Sequence, residues 1–254
     1  MRSTQAAGTG HPTSCASLAE IFSVLFFDPS GMKYHAQDPA NANNDRFVLS
    51  KGHAAPILYA VWAEAGYVDK AELINLRKLN CPLEGHPLPH LPYVDVATGS
   101  LGQGICAAAG IAYSARNFEK SDVRTFCVIG DGESAEGSVW EALNFASFYN
   151  LGNLTVIVDV NRLGQSDPTL LEHDMATYKA RFASFGWDTL AIDGHDIASI
   201  IDALEVSKKD PNVPTCILAM TFKGKGFTNV EDLMGFHGQA LKDKSEPVIA
   251  ELNA

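Results

Sequence analysis

Two predominantly apolar runs, 123–129 and 154–160, each end at a polar turn, and a segment of helical period, 138–149, lies between them. Runs of this length, rich in β-branched residues and bounded by Gly, Asn and Asp, predict strands covered on both faces. The alternation continues: helix 175–185, strand 187–192, helix 197–206 and strand 215–221. Upstream, Pro12-Thr13-Ser14 opens a predicted helix with apolar positions at Leu18, Ile21, Phe22, Leu25 and Phe26. Residues 28–45 read as a polar surface loop, and 47–49 as a short buried strand or turn. Helical patterns cover 54–65 and 70–79, and 103–113 is an Ala- and Gly-rich, close-packed helix. The proline-rich stretch 81–92 excludes regular structure. Strands alternating with helices predict an α/β fold, a parallel sheet with helices on both faces. There is no internal repeat and no low-complexity linker, so a single domain is expected over 1–254.

Composition agrees with a globular chain: 254 residues, 46% hydrophobic, enough for one large core or two modest ones. The net charge of −11 makes nucleic acid and anionic membrane poor partners, and neither is expected. No apolar run has transmembrane length, and the first residues carry no secretory hydrophobic region. Five scattered cysteines fit a reducing compartment, so a cytoplasmic location is expected.

The candidate chemistry sits at the ends of the two apolar runs. Gly130-Asp131-Gly132 follows the first, and Asn161 follows the second. Magnesium takes hard oxygen ligands and shares them with phosphates; Asp131 supplies a charged oxygen and Asn161 a neutral one, which limits excess negative charge beside a diphosphate. Glycines at a helix start leave backbone donors open to an anion. Taken singly, Gly-Asp-Gly is an ordinary turn and Asn161 a turn residue. Their paired placement at two strand ends favours the metal–diphosphate reading.

The stretch from Gly130 to Asn161 resembles the diphosphate motif of thiamine diphosphate enzymes. Further segments resemble transketolases, in order along nearly the whole chain: Gly8-Thr9-Gly10-His11-Pro12-Thr13-Ser14, Arg46 to Ala54 with its Ser50-Lys51-Gly52-His53, Thr98-Gly99-Ser100-Leu101-Gly102-Gln103-Gly104, Gly132 to Ala142, Asp193-Gly194-His195-Asp196, and Thr221-Phe222-Lys223-Gly224-Lys225-Gly226 with His237-Gly238. The wording of 44–66 is closest to animal-type transketolases. The resemblance implies thiamine diphosphate with Mg2+ (or Ca2+) held by Asp131, Asn161 and the Leu163 carbonyl. It implies cofactor contacts at Ser14, His53, Gly99, Ser100, Leu101, Gly132, Asn161, Lys223 and His237, and places His11, His86 and His237 against the sugar and its reacting carbon. Neutral imidazoles suit that role, since they donate or accept hydrogen bonds and move protons near neutral pH. Glu136 matches a carboxylate at the family's subunit contact; Glu141 reads as a solvated helix face. His195 reads as structural, in a turn where Asp196 caps the next helix. Cys81, His86 and His90 offer a rival three-ligand zinc site.

The resemblance covers only the diphosphate-binding half. In the family, a glutamate on a pyrimidine-binding domain activates the cofactor; with 17 residues after His237, that domain and a C-terminal one are expected to be absent. The expected activity is transfer of a two-carbon ketol unit from a ketose phosphate to an aldose phosphate, complete only with a separate pyrimidine-binding subunit, in a homodimer or heterotetramer. The alternatives are a non-catalytic binding module and another thiamine enzyme, such as a deoxyxylulose phosphate synthase or a 2-oxoacid dehydrogenase α subunit; the three histidines argue against the last.

Overall fold

The structure, a computed structural model, describes residues 1–35 and 37–252. Helices α1 (Arg2–Ala7), α2 (Pro12–Ala16) and α3 (Ala19–Phe27) precede strand β1 (Arg46–Leu49), followed by α4 (Ala55–Glu64) and α5 (Gln103–Ser114). Then come β2 (Thr125–Gly130), α6 (Gly137–Phe148), β3 (Leu154–Val160), α7 (Met175–Ser184), β4 (Asp188–Asp193), α8 (Ile197–Val206), β5 (Thr215–Met220) and α9 (Ser245–Leu252). The five strands form one sheet, order β1-β2-β3-β5-β4, parallel throughout.

The strand alternation explains why β2, β3 and β5 are apolar at nearly every position. Phe126, Val128, Ile157, Ile217 and Ala219 enter a core layer with residues of α3, α4 and α8. Cys127, Ile129, Val156, Val158, Cys216 and Leu218 enter a second layer with α5, α6 and α7. With both faces covered, either parity must be hydrophobic. A third small cluster packs Ala16 of α2 against Phe227, Val230, Leu241 and Val248. Among the described residues, no helix is long and apolar enough to cross a membrane.

Three expectations differ from the structure, and two short helices have no counterpart among them. The helix opened by Pro12 breaks between α2 and α3, where the Ser17 hydroxyl turns to the Ser14 carbonyl and the Asp159 carboxylate. Segment 70–79 is a 3-10 turn over Lys70–Asn75, stopped where Arg77 adopts a left-handed φ of 63°. β4 is an edge strand whose burial alternates, so it is not covered on both faces. α1 and α9 are too short for a periodic signal and were not foreseen.

Candidate active site

The register of the sheet brings the candidate residues together. Gly130 of β2 pairs with Asp159 of β3, so the residues just past both strands leave the sheet side by side. The Arg162 N–H donates to Asp131 Oδ2 at 2.7 Å, with the Thr169 hydroxyl on the same oxygen at 3.1 Å. The Leu163 N–H faces Asn161 Oδ1 at 3.3 Å. β5 lies beyond β3, and Lys223 follows it: its Nζ donates to the Leu163 carbonyl at 2.7 Å and to His237 Nδ1 at 2.8 Å. On the other side, the Ser50 N–H donates to the Val128 carbonyl at 2.9 Å, which carries the Lys51–His53 turn to the same edge. Asp131, Asn161, Lys223 and the Lys51–His53 turn all follow the carboxyl ends of parallel strands, where α/β sheets open their ligand clefts.

Three imidazoles meet above this edge. The His11 ring lies 4.8 Å from His53 and 4.9 Å from His237, and His53 lies 5.3 Å from His237. Burial first, then the neighbouring His237, brings His11 down to about 3. Burial and the Lys223 charge bring His237 down to about 4. His53 is held well below its usual value by burial and Lys51. The cluster is therefore neutral at pH 7. His86 is lowered too, by burial and Arg77, and its ring backs onto Gly99, whose φ of 147° would strain any side chain and where a Cβ would lie 3.1 Å from the imidazole. Ser100 and Leu101 are exposed beside it.

Two buried polar atoms here have no partner among the described residues: His11 Nδ1 and the Ser14 hydroxyl, both on the α2 segment. Burial and then the Lys51 charge bring Lys223 down to about 8. Burial, then the nearby Asp159 charge, pushes the Asp131 carboxyl up, the situation a cation relieves. Among the described residues no three His, Cys, Asp or Glu gather to hold a metal. That removes the zinc reading: His90 Nε2 is instead bonded to the Pro82 carbonyl at 2.8 Å. It leaves an oxygen set of one carboxylate, one carboxamide and one carbonyl, suited to a hard cation.

One expectation about anion binding is corrected. The Gly130 N–H is taken by Glu133 Oε2 at 3.1 Å, and the Gly132 N–H by Asp131 Oδ1 at 2.9 Å. The turn after Asp131 is a four-residue 3-10 segment, Gly132–Ala135, not the start of a long helix. These glycines shape the turn, and their amides are occupied.

Four buried residues escaped the sequence reading. Asp159 accepts from Lys51, Ser17, Thr221 and Asn161. Burial opposes its charge, yet Lys51 and the hydroxyl donors hold Asp159 below the usual carboxylate value. Glu133 accepts from the Ser50 hydroxyl, from the Gly102 N–H at 2.9 Å and from Gly130. The available signals were a lone charge inside the apolar β3 run, and a lysine in Ser50-Lys51-Gly52-His53. His195 is structural, as expected: Nδ1 meets Glu20 at 3.1 Å, and Nε2 accepts the Phe222 N–H at 2.9 Å. Asp196 caps α8 through the Ser199 N–H.

Residues 1–251 match the family model "Transketolase, thiamine diphosphate binding domain". The chain is 55% identical to human transketolase over 253 residues, 99% of this chain and 40% of that protein. It is 55% identical to mouse transketolase-like protein 2 over 250 residues, 98% of this chain and 40% of the relative. The crystal structure of Pichia stipitis transketolase with sedoheptulose-7-phosphate superposes with a TM-score of 0.89 at 32% identity, over 99% of this chain and 39% of the other. Campylobacter jejuni transketolase superposes at 0.88, with 33% identity over 98% of this chain and 39% of the other. The chain thus spans about 40% of the length of the curated relatives it matches.

Proposed function

The chain belongs to the transketolase thiamine diphosphate-binding domain family, and on that premise we propose that it is the diphosphate- and metal-binding component of a ketol transferase acting on sugar phosphates. The observation that carries this reading is the convergence of neutral His11, His53 and His237 on Lys223 and the Asp131–Asn161–Leu163 edge, with His11 Nδ1 and the Ser14 hydroxyl buried and without a partner among the described residues. Asp131, the Asn161 carboxamide oxygen and the Leu163 carbonyl hold Mg2+ or Ca2+; that carbonyl has a second lone pair besides the one facing Lys223. Lys223 and His53 face the diphosphate, while Ser14, Gly99, Ser100, Leu101 and Gly132 line the rest of the cofactor. Bound thiamine diphosphate supplies an electron sink for breaking a carbon–carbon bond beside a carbonyl. His11, His86 and His237 grip the sugar hydroxyls and exchange protons with them, which their neutral state permits.

The glutamate that activates the cofactor comes from a pyrimidine-binding half that packs against this domain, in a homodimer or heterotetramer. Support comes from exposed Glu136 at the start of α6, and from a solvent-facing aromatic cluster of Tyr113, Phe118, Phe145, Phe148 and Tyr149, with Phe118 and Phe148 each 75% exposed. A reducing, cytoplasmic setting suits five free cysteines. The test is ketol transfer from a ketose phosphate to an aldose phosphate, assayed with the chain alone and with a pyrimidine-binding half. Activity only with the partner is expected. Transfer by the chain alone refutes the shared site; absence of both transfer and magnesium-dependent thiamine diphosphate binding refutes the whole reading.

A further inference from the structure

Asp159 has no part in the roles above, yet it is the most heavily bonded side chain at the site. It is fully buried on β3. Oδ1 accepts from the Thr221 hydroxyl; Oδ2 accepts from Lys51 Nζ, from Ser17 Oγ at 2.7 Å and from Asn161 Nδ2 at 2.9 Å. An ionised carboxylate only accepts, so the end of the Asn161 carboxamide facing it must be the amino group. The carboxamide oxygen is left on the opposite side, toward the Leu163 N–H, at the strand end shared with Asp131. The two ends of a carboxamide are nearly the same size, and nothing intrinsic to Asn selects one; reversed, it would offer N–H donors where a cation needs oxygen.

From this juxtaposition we infer that Asp159 is a positioning residue that locks the Asn161 carboxamide with its oxygen toward the cation site, and that Lys51, Ser17 and Thr221 hold Asp159 in place to do so. Such outer partners set the orientation of ligands they do not replace. The inference rests on Asp131, Asn161 and Leu163 being the metal ligands. It also accounts for a buried ion pair at a site already crowded with charge: Lys51 balances Asp159, so the carboxylate stays ionised and acceptor-only without competing for the cation.

The test is a cycle of Asp159→Asn and Asn161→Asp in the full chain, read as the Mg2+ concentration that half-saturates thiamine diphosphate binding by calorimetry. Asp159→Asn alone admits both carboxamide orientations, and the Mg2+ requirement is expected to rise about tenfold or more. An Asp at 161 offers oxygen whichever way it turns, so in that background Asp159→Asn is expected to change the requirement less than about threefold. Equal effects in both backgrounds, or none in either, overturn the inference. If Asn161→Ala leaves the Mg2+ requirement unchanged, the metal assignment itself fails, which is a separate outcome. Because Asp159→Asn strands the buried Lys51 charge, Lys51→Met/Asp159→Asn is run through the same comparison. Side-chain amide NMR of the unaltered chain gives a reading independent of folding: one protected pair of Asn161 Nδ2 protons is expected, and a freely exchanging pair overturns the inference.

Discussion

Glu133→Gln removes one charge and changes almost no volume, so its cost reads directly on the bonds that Glu133 makes. The carboxylate gathers three donors from three segments: Ser50 after β1, Gly102 before α5 and Gly130 at the end of β2. The Ser50 hydroxyl in turn accepts the Ile105 N–H at 3.2 Å. Gly102 is the N-cap of α5 and has no side chain to cap with, so Glu133 and Ser50 close this helix start from a distance. A glutamine keeps one acceptor and turns the other into a donor aimed at a donor. One buried N–H left unsatisfied costs about 1–3 kcal/mol. Loss of negative charge at the start of α5 adds about 0.3–1 kcal/mol. A total of about 3 kcal/mol in a chain of this size lowers Tm by about 6–12 °C. Calorimetric melting measures the total, and amide hydrogen exchange at Gly102 and Ile105, expected to quicken, locates it. A Tm within about 1 °C of the parent with unchanged exchange at both amides refutes Glu133 as the distant cap.

Asp131→Ala deletes a charged oxygen as well as the acceptor for the Arg162 N–H and the Thr169 hydroxyl; calorimetry should show magnesium-dependent thiamine diphosphate binding weakened at least about 100-fold, and unchanged binding sinks the metal assignment. Lys51→Met leaves the buried Asp159 charge without its cation and should cost about 3–5 kcal/mol in urea unfolding, since breaking a buried pair is worse than never having it; a cost below about 1 kcal/mol contradicts the pairing. The histidine cluster makes the fold acid-sensitive. His11 and His237 take up protons only near 3 and 4 when folded but near 6.5 when unfolded, so their contribution is complete above pH 6.5 and falls away as the pH drops toward 4. The urea midpoint should therefore be lower at pH 5 than at pH 7.5, and His11→Gln should flatten that slope; equal midpoints in the parent chain count against a neutral cluster.

The fold was legible where local pattern is strong. β3 and α8 occupy the predicted residues, and β1, β2 and β5 fall within two residues of expectation, because a strand covered on both faces has no polar parity to blur its ends. Segment 70–79 was misread because its apolar spacing fits a helix while the left-handed Arg77 is invisible to periodicity. For the site, the ordered motifs singled out Asp131, Asn161, Lys223 and the histidines, and the structure brings them to one edge. They did not single out Ser17, Lys51, Glu133 or Asp159.

By itself, the sequence determined the alternation of strands and helices, the family, and the side chains fit for oxygen ligation and proton exchange, since these follow from residue type and near-neighbour spacing. Only the tertiary structure decided which charges are buried and what holds them. Asp159 finds Ser17 across 142 residues and Lys51 across 108, and Glu133 finds Ser50 across 83. A buried charge is tolerable only with its partners in place, and those partners are set by the register of the sheet.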